Sequence, residues 1–131
     1  MRNRRMLSEA AHWRDLIVLT GRVGHAVDKA MLRHHGICLS GFFALSALKE
    51  TEGQLLRVQE LSDAVGLTQS TVSRLLNRLE DSGLVRRRIG DHDRRATYAL
   101  ITEAGLAAVD EATGTFEKEV GAALAAVRLK L

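Results

Sequence analysis

The residues with the clearest chemical potential are the short polar and cationic side chains between positions 68 and 78. Residues 68–82 have helical periodicity, because Val72, Leu75, Leu76 and Leu79 recur at spacings of three and four. The other face carries hydroxyl, amide and guanidinium groups from Thr68, Gln69, Ser70, Thr71, Ser73, Arg74, Asn77 and Arg78. Hydroxyls and amides can reach base edges in a major groove, and arginine reads guanine or binds phosphate. The pattern therefore predicts a helix suited to double-stranded DNA.

Three arginines follow this helix on a predicted strand, and two more lie near the tip of the next loop. The candidate DNA contacts among them are Arg86, Arg88, Arg94 and Arg95. Residues 67–100 hold seven arginines and four acidic residues, so the whole net charge of +3 lies in this part of the chain. Such a basic concentration favours a polyanionic partner, and a loop of this size could insert arginine into a minor groove. We interpret Asp93 as the carboxylate that orients a neighbouring guanidinium.

A plainer interpretation stays open for both groups. The helix face could be an ordinary solvated surface, and the arginine-rich loop an ordinary exposed hairpin. The order of the features favours DNA binding instead, because a helix, a tight turn, a second helix, a basic strand and a basic loop succeed one another as in a winged helix-turn-helix.

The elements that position these side chains follow from apolar periodicity and helix-capping residues. The predicted helices cover residues 8–34, 41–50, 59–65, 68–82 and a C-terminal region from 103 onward. Ser40, Thr68 and Thr102 are the predicted N-caps of the second, fourth and last of these helices. Gly114 could divide the C-terminal region into two helices.

The fold class that these elements imply is mainly α with a small β-hairpin wing. The hairpin strands are predicted at residues 84–89 and 96–101, and residues 55–57 could pair with one of them. We expect a winged helix-turn-helix DNA-binding domain at residues 39–101, and a helical dimerisation region at residues 1–38 and 102–131. Both terminal helices carry long apolar stripes, which predict a second copy of the chain unless the two stripes cover each other.

Composition argues against several other classes of protein. The chain of 131 residues is 46% hydrophobic and 27% charged, which suits one globular unit, and it has no apolar run long enough to cross a membrane. Cys38 is the single cysteine, so an internal disulfide is impossible and a cytoplasmic location is the simplest expectation. We expect no enzyme, because no nucleophile–base pair stands out, and no cofactor. His34, His35 and Cys38 lack a fourth ligand, so we expect no metal site.

Residues 56–105 resemble the winged helix-turn-helix of the MarR family of bacterial transcription regulators. The matching motifs are LSDAVGL, TVSRLLNRLE, SGLVRR, DRR and ITEAG. The resemblance implies a homodimer with interlocked terminal helices, each subunit offering one winged helix to a pseudo-palindromic operator. It also implies that Arg95 enters the minor groove, that Asp93 braces it, and that recognition-helix positions are occupied by Ser70, Thr71, Ser73, Arg74 and Arg78.

The resemblance further implies a small aromatic or lipophilic effector between the dimer helices and the winged domain. The candidate pocket residues are His12, Trp13, Asp15, His35 and Cys38. We therefore expect a ligand-responsive repressor that binds DNA as a homodimer. Two alternatives are a winged helix that binds proteins without reading DNA sequence, and a regulator that senses oxidants through Cys38.

Overall fold

A computed structural model describes residues 2–93 and 95–128 of the chain, and the side chains of residues 8–93 and 95–126. Its helices are α1 (Arg2–His35), α2 (Leu39–Glu50), α3 (Val58–Val65), α4 (Gln69–Asp81) and α5 (Glu103–Arg128). Its strands are β1 (Leu55–Arg57), β2 (Val85–Ile89) and β3 (Thr97–Ile101). This mainly helical architecture with a β-hairpin confirms the predicted fold class. Within the described ranges, none of the helices is long and apolar enough to span a membrane.

The strands form one antiparallel sheet in the order β1-β3-β2. Residues 55–57 do form a strand, since Leu56 pairs with Ala99 of β3. On its other side β3 pairs with β2 along its whole length, which puts Arg87 opposite the same Ala99. Because side chains alternate between the two faces of a strand, this register decides which arginines of β2 face the helices.

One apolar core joins the helices and the sheet. The largest fully buried side chains are Val27, Met31, Leu45, Leu48, Leu61, Val72, Leu75, Leu76 and Val85. Val109 of α5 and Ala99 of β3 belong to the same cluster. Burial of each large apolar side chain contributes about 1.5–3 kcal/mol, which is offset largely by conformational entropy. Since α1 and α5 both contribute to this core, residues 39–101 share it with the terminal helices.

Three features of the helices differ from the sequence predictions. Helix α1 begins at Arg2, before the expected residue 8. The N-cap of α2 is Cys38 and not Ser40, because the Cys38 Sγ accepts a hydrogen bond from the Gly41 N–H at 3.3 Å and so replaces the expected hydroxyl. Helix α5 runs unbroken through Gly114. A single helical glycine costs about 1 kcal/mol relative to alanine, which packing of the flanking turns outweighs.

A stripe of apolar side chains stays exposed along the N-terminal half of α1. Trp13 is 65% exposed, and Leu16 and Ile17 are both exposed by more than half. The C-terminal half of α1 differs, because Val27 and Met31 are buried in the core. Intramolecular packing of α1 on α5 therefore covers only part of the predicted stripe.

Candidate nucleic-acid interface

A tight turn sets the angle between α3 and α4. Gly66 ends α3 in the left-handed region, with φ of 70°, which an L side chain adopts only with strain. The Leu67 N–H then donates to the Ser62 carbonyl at 3.2 Å, and the Ser62 hydroxyl donates to the Leu67 carbonyl. Thr68 caps α4 as predicted, because its Oγ1 accepts a hydrogen bond from the Thr71 N–H at 3.2 Å. Together these bonds fix the helix-turn-helix geometry.

Helix α4 buries one face and presents the other. Val72, Leu75, Leu76 and Leu79 are buried, as the periodicity predicted. The eight predicted polar positions are all exposed or half-buried: Thr68, Gln69, Ser70, Thr71, Ser73, Arg74, Asn77 and Arg78. The structure thus brings these side chains together on a single surface.

The polar surface of α4 has a centre and two flanks. Ser70, Arg74 and Asn77 are exposed and form the centre, since they recur at spacings of three and four. On one flank, Thr71 and Arg78 line a cleft of about 430 Å³ toward α1. On the other flank, Gln69 and Ser73 line a cleft of about 380 Å³ toward the wing. The centre is therefore best placed to reach base edges, with the flanks nearer the groove walls.

The arginines of β2 are divided between two faces of the sheet. Arg87 lies on the inner face, and its Nη2 donates to the carbonyl oxygen of Ser73 in α4 at 2.6 Å. Arg86 and Arg88 lie on the outer face by strand alternation, and they share it with their cross-strand partners Leu100 and Tyr98. The prediction grouped Arg86 and Arg88 with α4 and omitted Arg87. The alternation that makes Val85 buried would have identified Arg87 as the inward arginine.

The wing tip is organised by backbone hydrogen bonds. The Gly90 N–H donates to the Ala96 carbonyl at 2.8 Å, and the Ala96 N–H donates to the Asp93 carbonyl at 3.0 Å. The Asp93 carboxylate accepts from the backbone N–H of Arg95 at 2.9 Å. Among the described residues Asp93 thus braces the main chain of the wing, and its predicted contact with a guanidinium stays a prediction. Arg95 is exposed, and Arg94 lies outside the described residues.

Arg57, which was not among the predicted DNA contacts, adds a cation next to the wing. Its Nε donates to the Tyr98 hydroxyl at 3.2 Å, and its guanidinium carbon lies 5.6 Å from the centroid of the Tyr98 ring. The hydrogen bond to Tyr98 raises the pKa of Arg57 above its usual value. Arginine is cationic at any physiological pH, and Arg57 shares the outer face of the sheet with Arg88, whose guanidinium lies 3.6 Å from the Asp91 carboxylate.

The five predicted effector residues do not form one pocket within a single chain. His12 and His35 lie about 35 Å apart along the continuous helix α1. His12 Nδ1 lies 2.7 Å from the carbonyl oxygen of Ser8. His35 Nε2 lies 2.7 Å from the Thr115 hydroxyl, and Cys38 caps α2. The predicted pocket lies between the helices of a dimer, so it stays a prediction, and one chain alone does not bring its two ends together.

The other two members of that set, Trp13 and Asp15, are exposed on α1 near His12. An apolar groove of about 360 Å³ lies further along, between α1, α2 and α5. Its lining includes Leu16, Val23, Phe43, Phe116 and Leu124. Among the residues that the structure describes, no group of three His, Cys, Asp or Glu side chains could hold a metal ion.

Comparison with known proteins identifies the same part of the chain. A family model described as the MarR family matches residues 35–96. The transcriptional repressor MprA of Escherichia coli strain K12 is 36% identical over 75 residues, which are 57% of this chain and 43% of that protein. The matched segment therefore spans less than half the length of this curated relative.

Solved structures extend the similarity to nearly the whole fold. The MarR family regulator AbsC from Streptomyces coelicolor superposes with a TM-score of 0.80 at 27% identity, covering 92% of this chain and 80% of that one. A second MarR family regulator from the same organism, solved in complex with DNA, gives a TM-score of 0.83 at 26% identity, covering 89% of this chain and 73% of that one.

Proposed function

We propose that this chain is a transcriptional regulator of the MarR family, whose model matches residues 35–96, and that it binds double-stranded DNA in a sequence-specific manner as a homodimer. The observation that carries the proposal is the exposed centre of α4, formed by Ser70, Arg74 and Asn77, beside the exposed Arg95 of the wing. Short hydrogen-bonding side chains with an arginine suit a major groove, and a protruding arginine suits an adjacent minor groove. The similar regulator solved with DNA supports the same use of the fold.

The two groove contacts have different tasks in this proposal. Ser70, Arg74 and Asn77 read base edges, with Thr68, Gln69, Thr71, Ser73 and Arg78 contacting the backbone and groove walls around them. The free N–H groups at the start of α4 also favour a phosphate. Arg95, and Arg94 beside it in the sequence, enter the minor groove, where narrow A·T-rich sequence concentrates negative potential.

Dimerisation is proposed through the terminal helices. Trp13, Leu16 and Ile17 are each more than half exposed on one helix, and a contiguous exposed apolar stripe is typical of a surface that another chain covers. A second copy would cover it by two-fold symmetry and present two α4 helices to successive major grooves. In this division residues 1–38 and 102–131 dimerise, and residues 39–101 bind DNA. The chromosome is the expected target, so the cytoplasm is the proposed location.

We propose repression as the regulatory outcome, with release by a small aromatic or lipophilic effector. Support comes from the apolar lining of the groove between α1, α2 and α5, which includes Phe43 and Phe116. Phenols that release the unmodified protein from its DNA should not release the Phe43→Gln variant. Equal release of both proteins would remove this groove from the proposal.

The main test combines selection of DNA with salt titration. Genomic fragments are enriched on the protein, and affinity for the selected duplex is measured by fluorescence anisotropy between 50 and 200 mM salt. With about 6–10 phosphate contacts per dimer, affinity should fall about 10³–10⁵-fold over that range. If no DNA fragment is enriched, or if the affinity for DNA does not change with salt concentration, a winged helix that binds proteins is favoured instead.

A further inference from the structure

Arg87 ties the wing to two separate turns of α4. Its guanidinium Nη2 donates to the Ser73 carbonyl at 2.6 Å, and its backbone N–H donates to the Glu80 Oε2 at 3.1 Å. Ser73 and Glu80 are seven residues apart in the sequence, which puts them about two turns apart on one side of the helix. Through these two bonds, one residue of β2 fixes both the distance between β2 and α4 and the orientation of the strand relative to the helix.

This arrangement is not the one that stability alone would favour. The Nε of Arg87 is buried without a hydrogen-bond partner among the described atoms, so one donor of the guanidinium lacks an acceptor there while Nη2 has one. Glu80 lies in the last turn of α4, where the negative end of the helix dipole disfavours a carboxylate. Local costs of this kind are tolerated mainly where function requires a fixed geometry.

The position of Arg87 suggests which geometry is fixed. Arg87 lines the cleft that separates α4 from the wing, together with Gln69, Ser73, Asp93 and Arg95. The two surfaces proposed to enter the major and minor grooves therefore meet at this residue. A change in the angle between them would let one surface bind only at the expense of the other.

We propose that Arg87 and Glu80 are positioning residues that fix the wing against α4, so that Arg95 reaches the minor groove while α4 occupies the major groove. The inference rests on the proposed DNA-binding function. Arg87 affects DNA binding by positioning Arg95 and α4, and it does not contact the DNA itself.

A double-mutant cycle with Arg95→Ala tests this role. Affinity is measured for the duplex that genomic selection with the unmodified protein returns. Arg87→Met should weaken binding about tenfold to a hundredfold when Arg95 is present, and less than about threefold when Arg95 is already alanine. If Arg87→Met reduces the affinity by the same factor with and without Arg95, the proposal is overturned. Arg86→Met is the matched control, because it removes the same charge from the outer face and its effect should not depend on Arg95.

Replacing Glu80 gives a second test. The direction in which DNA affinity changes distinguishes a positioning role from a simple effect of charge. Removing an acidic residue from a DNA-binding protein should tighten binding if only charge matters. The proposal predicts the opposite: Glu80→Ala weakens binding about threefold to tenfold, and Glu80→Gln, which keeps an acceptor oxygen, weakens it less. Asp81→Ala is the matched control, and it should leave affinity unchanged or higher. Tighter binding by Glu80→Ala would contradict the proposal.

These experiments separate the inference from the function on which it rests. If the unmodified protein selects no duplex, the proposed function fails. If it selects one and the Arg87 and Arg95 losses are independent, only the positioning role fails. Thermal melts establish folding of each variant, and the exposed Glu80 series decides the question if Arg87→Met does not fold.

Discussion

Gly105 is the point where α5 passes against the base of the wing, and it permits a sharp test of the packing. A Cβ atom at this position would lie 2.7 Å from Cγ1 of Ile101 and still closer to the carbonyl oxygen of Leu84. That carbonyl already accepts a hydrogen bond from the Thr102 N–H at 3.0 Å, so it cannot move without loosening the start of α5. Gly105→Ala should therefore destabilise the protein.

The expected size follows from two opposing effects. Alanine gains up to about 1 kcal/mol of helix preference over glycine. Forcing a methyl group against rigid backbone costs more than this, and the net loss should be about 1–3 kcal/mol. For a chain of this length, each kcal/mol of lost unfolding free energy lowers the midpoint of thermal unfolding by roughly 3–4 °C. The midpoint of thermal unfolding should fall by roughly 3–12 °C.

Gly114 supplies a matched control in the same helix. A Cβ atom there meets nothing within 4 Å, and the residue is exposed. Gly114→Ala should raise the midpoint by roughly 2–4 °C, because only helix preference changes. Circular dichroism measures the unfolding midpoints of both variants. The protein concentration is kept fixed, since the stability of a dimer depends on it. Equal midpoints for the two variants, or a more stable Gly105→Ala protein, would refute the packing described at the wing base.

Three further predictions address the proposed interface. Arg95→Ala should weaken binding of the selected duplex by about 1–3 kcal/mol with unchanged melting, and an unchanged binding isotherm would remove the wing from the mechanism. Leu124→Glu should abolish dimer formation and DNA binding together, because a charge replaces apolar burial, and a stable dimer in sedimentation would disprove the interface. Thr68→Ala should lower stability by about 1 kcal/mol through loss of the α4 cap, and an unaltered denaturation midpoint would show that the cap contributes nothing.

Periodicity and capping were enough to predict helix α4. The spacing of Val72, Leu75, Leu76 and Leu79 identified the buried face, and the Thr68 hydroxyl marked the first turn. Both signals are local, because a helix determines its own side-chain geometry within a few residues. The polar surface of α4 therefore followed directly from the sequence.

The features that the sequence did not reveal depend on contacts between distant segments. The inward direction of Arg87 depends on its pairing opposite Ala99, which fixes the register of the sheet. Cys38 was not expected as an N-cap because a thiol is a weak acceptor, yet it bonds the Gly41 N–H. The separation of His12 from His35 depends on the unbroken length of α1.

The central claim is that two copies of the chain present α4 and the wing to one duplex. A hydroxyl-radical footprint of the unmodified protein on its selected duplex tests it most directly. We expect two protected minor-groove segments, related by two-fold symmetry, that flank major-groove contacts about 10 bp apart. Protection of a single unsymmetrical segment, or uniform weak protection along the duplex, would contradict it.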